Sequence, residues 1–303
     1  MQIRDWLPFL GMALMLLFVQ IIAVILVTPM QAAGLVAFED PESVANPLIF
    51  IGMLLAFTLV LLFLLRTGGR RFIAVFIGFA LFMTFLYIFG ALSLLLFGTT
   101  AAAAAGTLIG AVAATALLYL YPEWYVIDIL GVLISAGVAS IFGISLAVLP
   151  VIVLLVLLAV YDAISVYRTK HMITLAEGVL ETKAPIMVVV PKRANYSFRK
   201  EGLNISGGEE RGAFVMGMGD LIMPSILVVS SHVFVDAPAV LWTLSAPTLG
   251  AMAGALAGLA VLLYFVNKGN PQAGLPSLNG GAILGFLVGA ALAGSFLWLP
   301  FGV

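Results

Sequence analysis

Hydrophobic residues run along this chain in long blocks, too continuous for the alternation of a half-buried strand or the three-and-four spacing of an amphipathic surface helix. Blocks of about 20 residues, the length that crosses a hydrocarbon core, recur between short polar, Gly or Pro breaks. They predict helical spans over 7–27, 47–65, 72–96, 101–121, 126–146, 148–167, 212–234, 240–266 and 280–299. Nine spans put the two termini on opposite sides of a membrane. The fourth block, from Ala101 to Ala116, is rich in Ala and Gly. Such small side chains favour packing on neighbouring helices over exposure to lipid. The first block is longer than the apolar core of a signal peptide, about 7 to 15 residues, and Asp5 stands where a basic leader belongs. It is therefore expected as an uncleaved helix. The expected fold is all-α: a polytopic membrane helical bundle forming a single membrane domain over residues 1–303.

Composition agrees and narrows the functions open to the chain. Of its 303 residues 63% are hydrophobic and 9% charged, against roughly 45–50% and 25% in soluble domains. The solvent for most of the surface is the lipid bilayer. A net charge of -1 offers no basic surface for nucleic acid. The absence of Cys removes disulfides and thiolate chemistry. His171 and His232 stand apart with no set of ligands beside them, so neither metal nor cofactor is expected.

Charge distribution orients the bundle. In the nine-span scheme all thirteen basic residues fall on one side: Arg4, the Arg66/Arg70/Arg71 cluster, Arg168 through Arg211, and Lys268. The positive-inside rule makes that side cytoplasmic, with the N-terminus inside and the C-terminus outside an integral protein of the cell membrane. The opposite loops hold Glu39, Asp40, Glu42 and Asp236. One cytoplasmic loop is large, 168–211. Within it Pro185 to Pro191 is a β-branched run between prolines, able to form a strand or an extended connector.

Most acidic residues belong to loops or helix ends, but Asp162 and Asp220 lie inside apolar blocks. A carboxylate within a membrane helix costs several kcal/mol, so it faces protein or a water-filled cavity and marks function. Asp162 precedes Arg168 by six positions and Asp220 follows Arg211 by nine, roughly 9 and 13 Å along a helix. Antiparallel neighbouring helices would bring them to similar depth. Two carboxylates close enough to share a proton can divide acid and base roles: one activates a water while the other, protonated, polarises a peptide carbonyl. The same pair would equally serve a transporter as a proton relay, a channel as an ion site, or the fold as a structural pair. Gly217-Met218-Gly219 precedes Asp220 and permits close backbone approach or an irregular helix start. Pro276-Ser277-Leu278 stands just before the ninth span, where proline leaves backbone carbonyls open to an extended peptide or simply shapes a turn.

Taken in order, Tyr161-Asp162 on a sixth span, Gly217-Met218-Gly219-Asp220 on a seventh and Pro276-Ser277-Leu278 at a ninth resemble the presenilin and signal peptide peptidase family, in particular its archaeal homologues. That family carries YD, GxGD and PAL motifs in this order on nine helices. The resemblance spans the whole chain in architecture and about a dozen residues in motif. It implies an intramembrane aspartyl protease that cuts single-span or other helical membrane-protein substrates. Asp162 and Asp220 would be the catalytic aspartates, and Tyr161, Gly217, Gly219, Pro276, Ser277 and Leu278 would support the site. Ser277 replaces the usual Ala, small for small, adding a hydroxyl. The expected orientation is similar to presenilin and opposite to signal peptide peptidase. Prepilin peptidases also carry GxGD, but they resemble a shorter bundle with Lys near the catalytic Asp, where this chain has Leu221-Ile222-Met223. A helical substrate must unwind before water reaches its carbonyls, and 185–191 or 274–279 are the segments expected to pair with it. Small residues in several spans permit packing within one chain or between copies in a homo-oligomer.

Overall fold

The computed structural model describes residues 7–67, 70–169, 187–193, 196–201, 213–266, 272–296 and 298. Its long helices are α1 (Leu7–Ala32), α2 (Ala45–Arg66), α3 (Arg70–Phe97), α4 (Ala101–Leu120), α5 (Trp124–Ser145), α6 (Val148–Ile164), α7 (Met218–Phe234), α8 (Ala246–Val266) and α9 (Gly274–Ala293). Among the described residues eight helices are long and apolar enough to cross a membrane, α6 counting with its continuation to Arg168, and α7, apolar but 17 residues long, falls short. The nine full-length spans expected from hydropathy are thus eight. Most of the loop expected over 168–211 lies outside the described residues, as do Arg4 and Lys268.

The core forms where small residues let helices approach. α1 runs through it, with Leu16, Val19, Gln20, Ala23 and Met30 fully buried, so the first apolar block is a core helix. α5 presents Gly137 to Ile88 of α3 and Gly143 to Val229 of α7, positions where a β-carbon would overlap those side chains. The closest pair is α8 and α9. Gly250, Gly254 and Gly258 of α8 face Gly281, Gly285, Gly289 and the Ser277 carbonyl of α9, backbone against backbone. Such a seam gains dispersion contact and weak Cα–H···O bonds that any side chain would prevent.

Four expectations are corrected. The block 212–234 is not one helix: Ala213–Gly217 is strand β2, paired antiparallel with β1 (Met187–Pro191). Phe214-Val215-Met216 reads as apolar in either conformation, and pairing with the β-branched β1 decides it. Likewise the block 240–266 begins with a small hairpin, β3 (Ala239–Leu241) and β4 (Leu244–Ser245), before α8 starts at Ala246. The last helix starts at Gly274 and stops at Ala293, where Gly294 takes a left-handed conformation, so it lies earlier than 280–299. Finally, α4 packs on α3 along one seam, with Gly110 against Phe89, yet leaves Leu108, Ile109, Val112 and Leu120 exposed.

Candidate active site

Three chain segments build the site. α6 carries Asp162 near its end, buried at 6% exposure, and continues into a π-helical turn over Ser165–Thr169. Tyr161, half-buried, precedes it on the same helix. α7 carries Asp220, half-buried, in its first turn, where the exposed N–H groups of a helix start suit an acidic side chain. The third segment is the start of α9, which the sequence marks by Pro276-Ser277-Leu278 and as part of the stretch 274–279.

That third segment touches both carboxylates. The Leu275 N–H donates to Asp162 Oδ2 at 3.1 Å, and the Gly274 N–H also donates to Asp162. A helix N-terminus is thereby closed by a carboxylate from another helix. Just outside it, the Ala273 N–H donates to the Tyr167 hydroxyl at 3.3 Å, which itself donates to Gln272 Oε1 at 2.8 Å. The π-helical turn at the end of α6 therefore pins the start of α9. Gly274 also faces Asp220: a β-carbon there would stand 2.9 Å from Oδ1 and 3.1 Å from Cγ. The two carboxylates interact electrostatically. The pair singled out by sequence is thus brought together, and the residue between them is a glycine.

The remaining motif residues fall as follows. Gly217 caps α7 in an extended conformation, and a β-carbon on it would make only ordinary contact, 3.7 Å, with Asp220 Oδ2. Gly219 is exposed, with nothing within 4 Å of where its β-carbon would lie. The close backbone approach expected at these glycines occurs instead at Gly274. Pro276 and Ser277 are half-buried within the first turn of α9, not in a turn before it, and Leu278 is fully buried. Proline is tolerated there because its missing N–H would have had no partner in the helix. Being helical, 274–279 cannot offer an extended edge to a peptide, which corrects that expectation.

The other expected edge is partly realised. Residues 185–186 lie outside the described residues, while Met187–Pro191 forms β1 in register with β2, Val189 opposite Val215 and Met187 opposite Gly217. The outer side of β1 is closed, because the Val189 N–H donates to Asp128 Oδ1 of α5 at 2.7 Å. In an antiparallel pair a residue whose N–H points outward has a partner that also points outward. Among the described residues the open edge of the two-stranded sheet is therefore that of β2, at Val215 and Gly217, leading directly to Asp220.

Sequence reasoning missed Asp128 and, within the segment 274–279 that it did single out, gave no individual role to Gly274 or Asn279. Asp128 is only 5% exposed, not a helix-end acid in water. Asn279, fully buried, donates from Nδ2 to the Leu155 carbonyl of α6 at 3.0 Å, tying α9 to the helix of Asp162.

An apolar helical bundle that holds two interacting carboxylates against the start of a third helix defines an integral, polytopic membrane protein with an acid-pair site. Residues 12–295 match the family model described as signal-peptide peptidase, presenilin aspartyl protease, and the chain belongs to that family. It is an intramembrane aspartyl protease. Two solved structures, each of a presenilin family intramembrane aspartate protease, one in space group C222 and one in P2, are similar to it. Each shares 76% identity with a TM-score of 0.72, over 95% of this chain and all of the other. No curated protein sequence gives a match.

Proposed function

We propose that Asp162 and Asp220 are the catalytic pair and that the substrate is a transmembrane helix that unwinds and adds to the open edge of β2. One carboxylate takes a proton from a water held between the two. As the water oxygen bonds to the carbonyl carbon, the other, protonated, hydrogen-bonds the carbonyl oxygen and then gives its one proton to the amine as the C–N bond breaks, leaving the pair's proton on the first carboxylate with no covalent enzyme intermediate. The observation that carries this is the placement of Gly274, whose N–H donates to the Asp162 carboxylate and whose missing side chain leaves room for that of Asp220.

The extended substrate follows from backbone chemistry. A membrane helix satisfies its own carbonyls, and the residues freed by unwinding need new partners in a place with little water. The outward N–H and C=O groups of Val215 and Gly217 supply them by strand addition. Gly219, exposed and without a neighbour, leaves the space beside Asp220 clear for the peptide.

The finer architecture belongs to the same reading. α7 is a crossing too and brings the number to nine: 17 residues rise about 25 Å, near the lower limit for a span. The whole chain then forms one membrane domain with the N-terminus, the 168–211 loop and the β1–β2 sheet at the cytoplasmic face, and the C-terminus outside.

The test is purified protein incubated with a single-span substrate, products identified by mass spectrometry, comparing wild type with Asp162→Asn and Asp220→Asn. Fragments cut within the apolar span by wild type alone are expected. Near-normal cleavage by either variant, with folding confirmed, would remove the acid pair.

A further inference from the structure

Asp128 has no part in the chemistry above, yet it is a carboxylate buried in the bundle near the start of α5. Its Oδ1 accepts the Val189 N–H, while its Oδ2 is buried with no hydrogen-bond partner among the described residues. Burying such a group is expensive, and a plain apolar contact would serve packing better. One turn further along α5, Gly131 makes a groove for the same assembly. A β-carbon there would stand 2.8 Å from Met218 Cε and 3.5 Å from Val188 Cγ1. One face of α5 thus grips β1 by a polar clamp and, through Met218, the first residue of the helix that carries Asp220. The same face of the sheet also rests on α1, where Gly11 faces Val190 and the Phe9 and Phe214 rings lie 5.4 Å apart.

We infer that Asp128 is a positioning residue that sets which peptide bond is cut, by fixing the β1–β2 pair against α5 and so the open edge of β2 relative to Asp220. This rests on the reading that substrate pairs with β2. The argument is one of register. β2 is tied by the chain to α7, whereas β1 is held in line with it by ladder bonds, by side-chain packing on α5 and α1, and by the Asp128 anchor on its outer edge. A strand pair without such an anchor slips or tilts more readily. Tilting the edge of β2 presents neighbouring substrate bonds to the acid pair. Asp162 stays in place, because the start of α9 holds it independently.

The experiment compares wild type, Asp128→Asn, Asp128→Leu and Val189→Pro on one single-span substrate, reading the distribution of cut bonds by mass spectrometry together with kcat and KM. Leu matches the shape of Asp but cannot accept the bond. Asn keeps an acceptor oxygen. Pro at 189 removes the donor, at a position whose N–H faces away from β2 and where the ladder tolerates it. Asp128→Leu and Val189→Pro are expected to raise the ratio of neighbouring to principal cuts about tenfold, the ratio that about 1.4 kcal/mol controls, while Asp128→Asn keeps the wild-type pattern. An unchanged distribution in Asp128→Leu, even with a slower rate, would overturn the inference, as would an Asn variant that spreads its cuts as widely as Leu. If Asp128→Leu does not fold, Val189→Pro decides by the same outcomes. A wild-type pattern in Val189→Pro would leave the acid pair standing and remove Asp128 from cleavage-site choice, whereas cleavage by Asp220→Asn would remove the acid pair itself.

Discussion

Replacing Gly274 with Ala should separate activity from stability. The added β-carbon would lie 2.9 Å from Asp220 Oδ1 and 3.1 Å from Cγ and Oδ2, where unstrained carbon contacts begin near 3.5 Å. The carboxylate must then retreat by about 0.4 Å or rotate away. For the fold this is a small matter, since a short side chain at a half-open site can move. Gly274 has no left-handed conformation that Ala would resist, and Ala in a first helical turn is favoured over Gly by up to about 1 kcal/mol. For chemistry the shift matters far more: a misplacement of about 1 Å costs on the order of a hundredfold. We therefore expect kcat to fall by roughly tenfold to a hundredfold, KM to change little, and Tm to hold or rise. The assay is steady-state cleavage of a single-span substrate alongside thermal unfolding in the same detergent. Wild-type kcat in a folded Gly274→Ala protein would refute the reasoning, because it would mean Asp220 need not occupy the space the glycine leaves.

Val215→Pro removes an N–H that points away from β1, so the sheet should survive while substrate loses a partner; a raised KM with Tm unchanged is expected, and an unaltered KM would show that substrate does not use this edge. In the α8–α9 seam, Gly254→Ala would drive a β-carbon into the Gly281 carbonyl, backbone that cannot step aside, and should destabilise by about 1–3 kcal/mol, read as a lower Tm together with lost cleavage as α9 shifts.

Much of the site was legible because carboxylates in apolar helices are costly, so Asp162 and Asp220 stood out in any reading of the chain. What was not legible depended on partners distant in sequence. Gly274 matters for the side chain it lacks opposite Asp220, and a glycine among 31 gives no sign of what it faces. Asp128 lies so near the start of its span that it resembled an ordinary helix-end acid, and only the Val189 N–H reveals it as a clamp. β2 was hidden for a different reason: five apolar residues continuous with a helix carry no period long enough to distinguish strand from helix. The prolines around β1 supplied that boundary for its partner, and the strand expected there is present over Met187–Pro191. Pro276 misled in the opposite sense, being read as a break before a helix when it lies within the first turn.

The seam between α8 and α9 also constrains how this chain can diverge. Gly250, Gly254, Gly258, Gly281, Gly285 and Gly289 each occupy a place where a single added carbon meets another backbone, so no one of them can change unless its opposite strip is rebuilt at the same time. Drift in this part of the protein is left to the outward positions, such as Leu284, Val288 and Leu292, all exposed along α9. Among descendants of this sequence the lipid-facing side would record the history of the membranes they lived in, while the seam, and with it the start of α9 beside the two acids, would stay as a fixed inheritance.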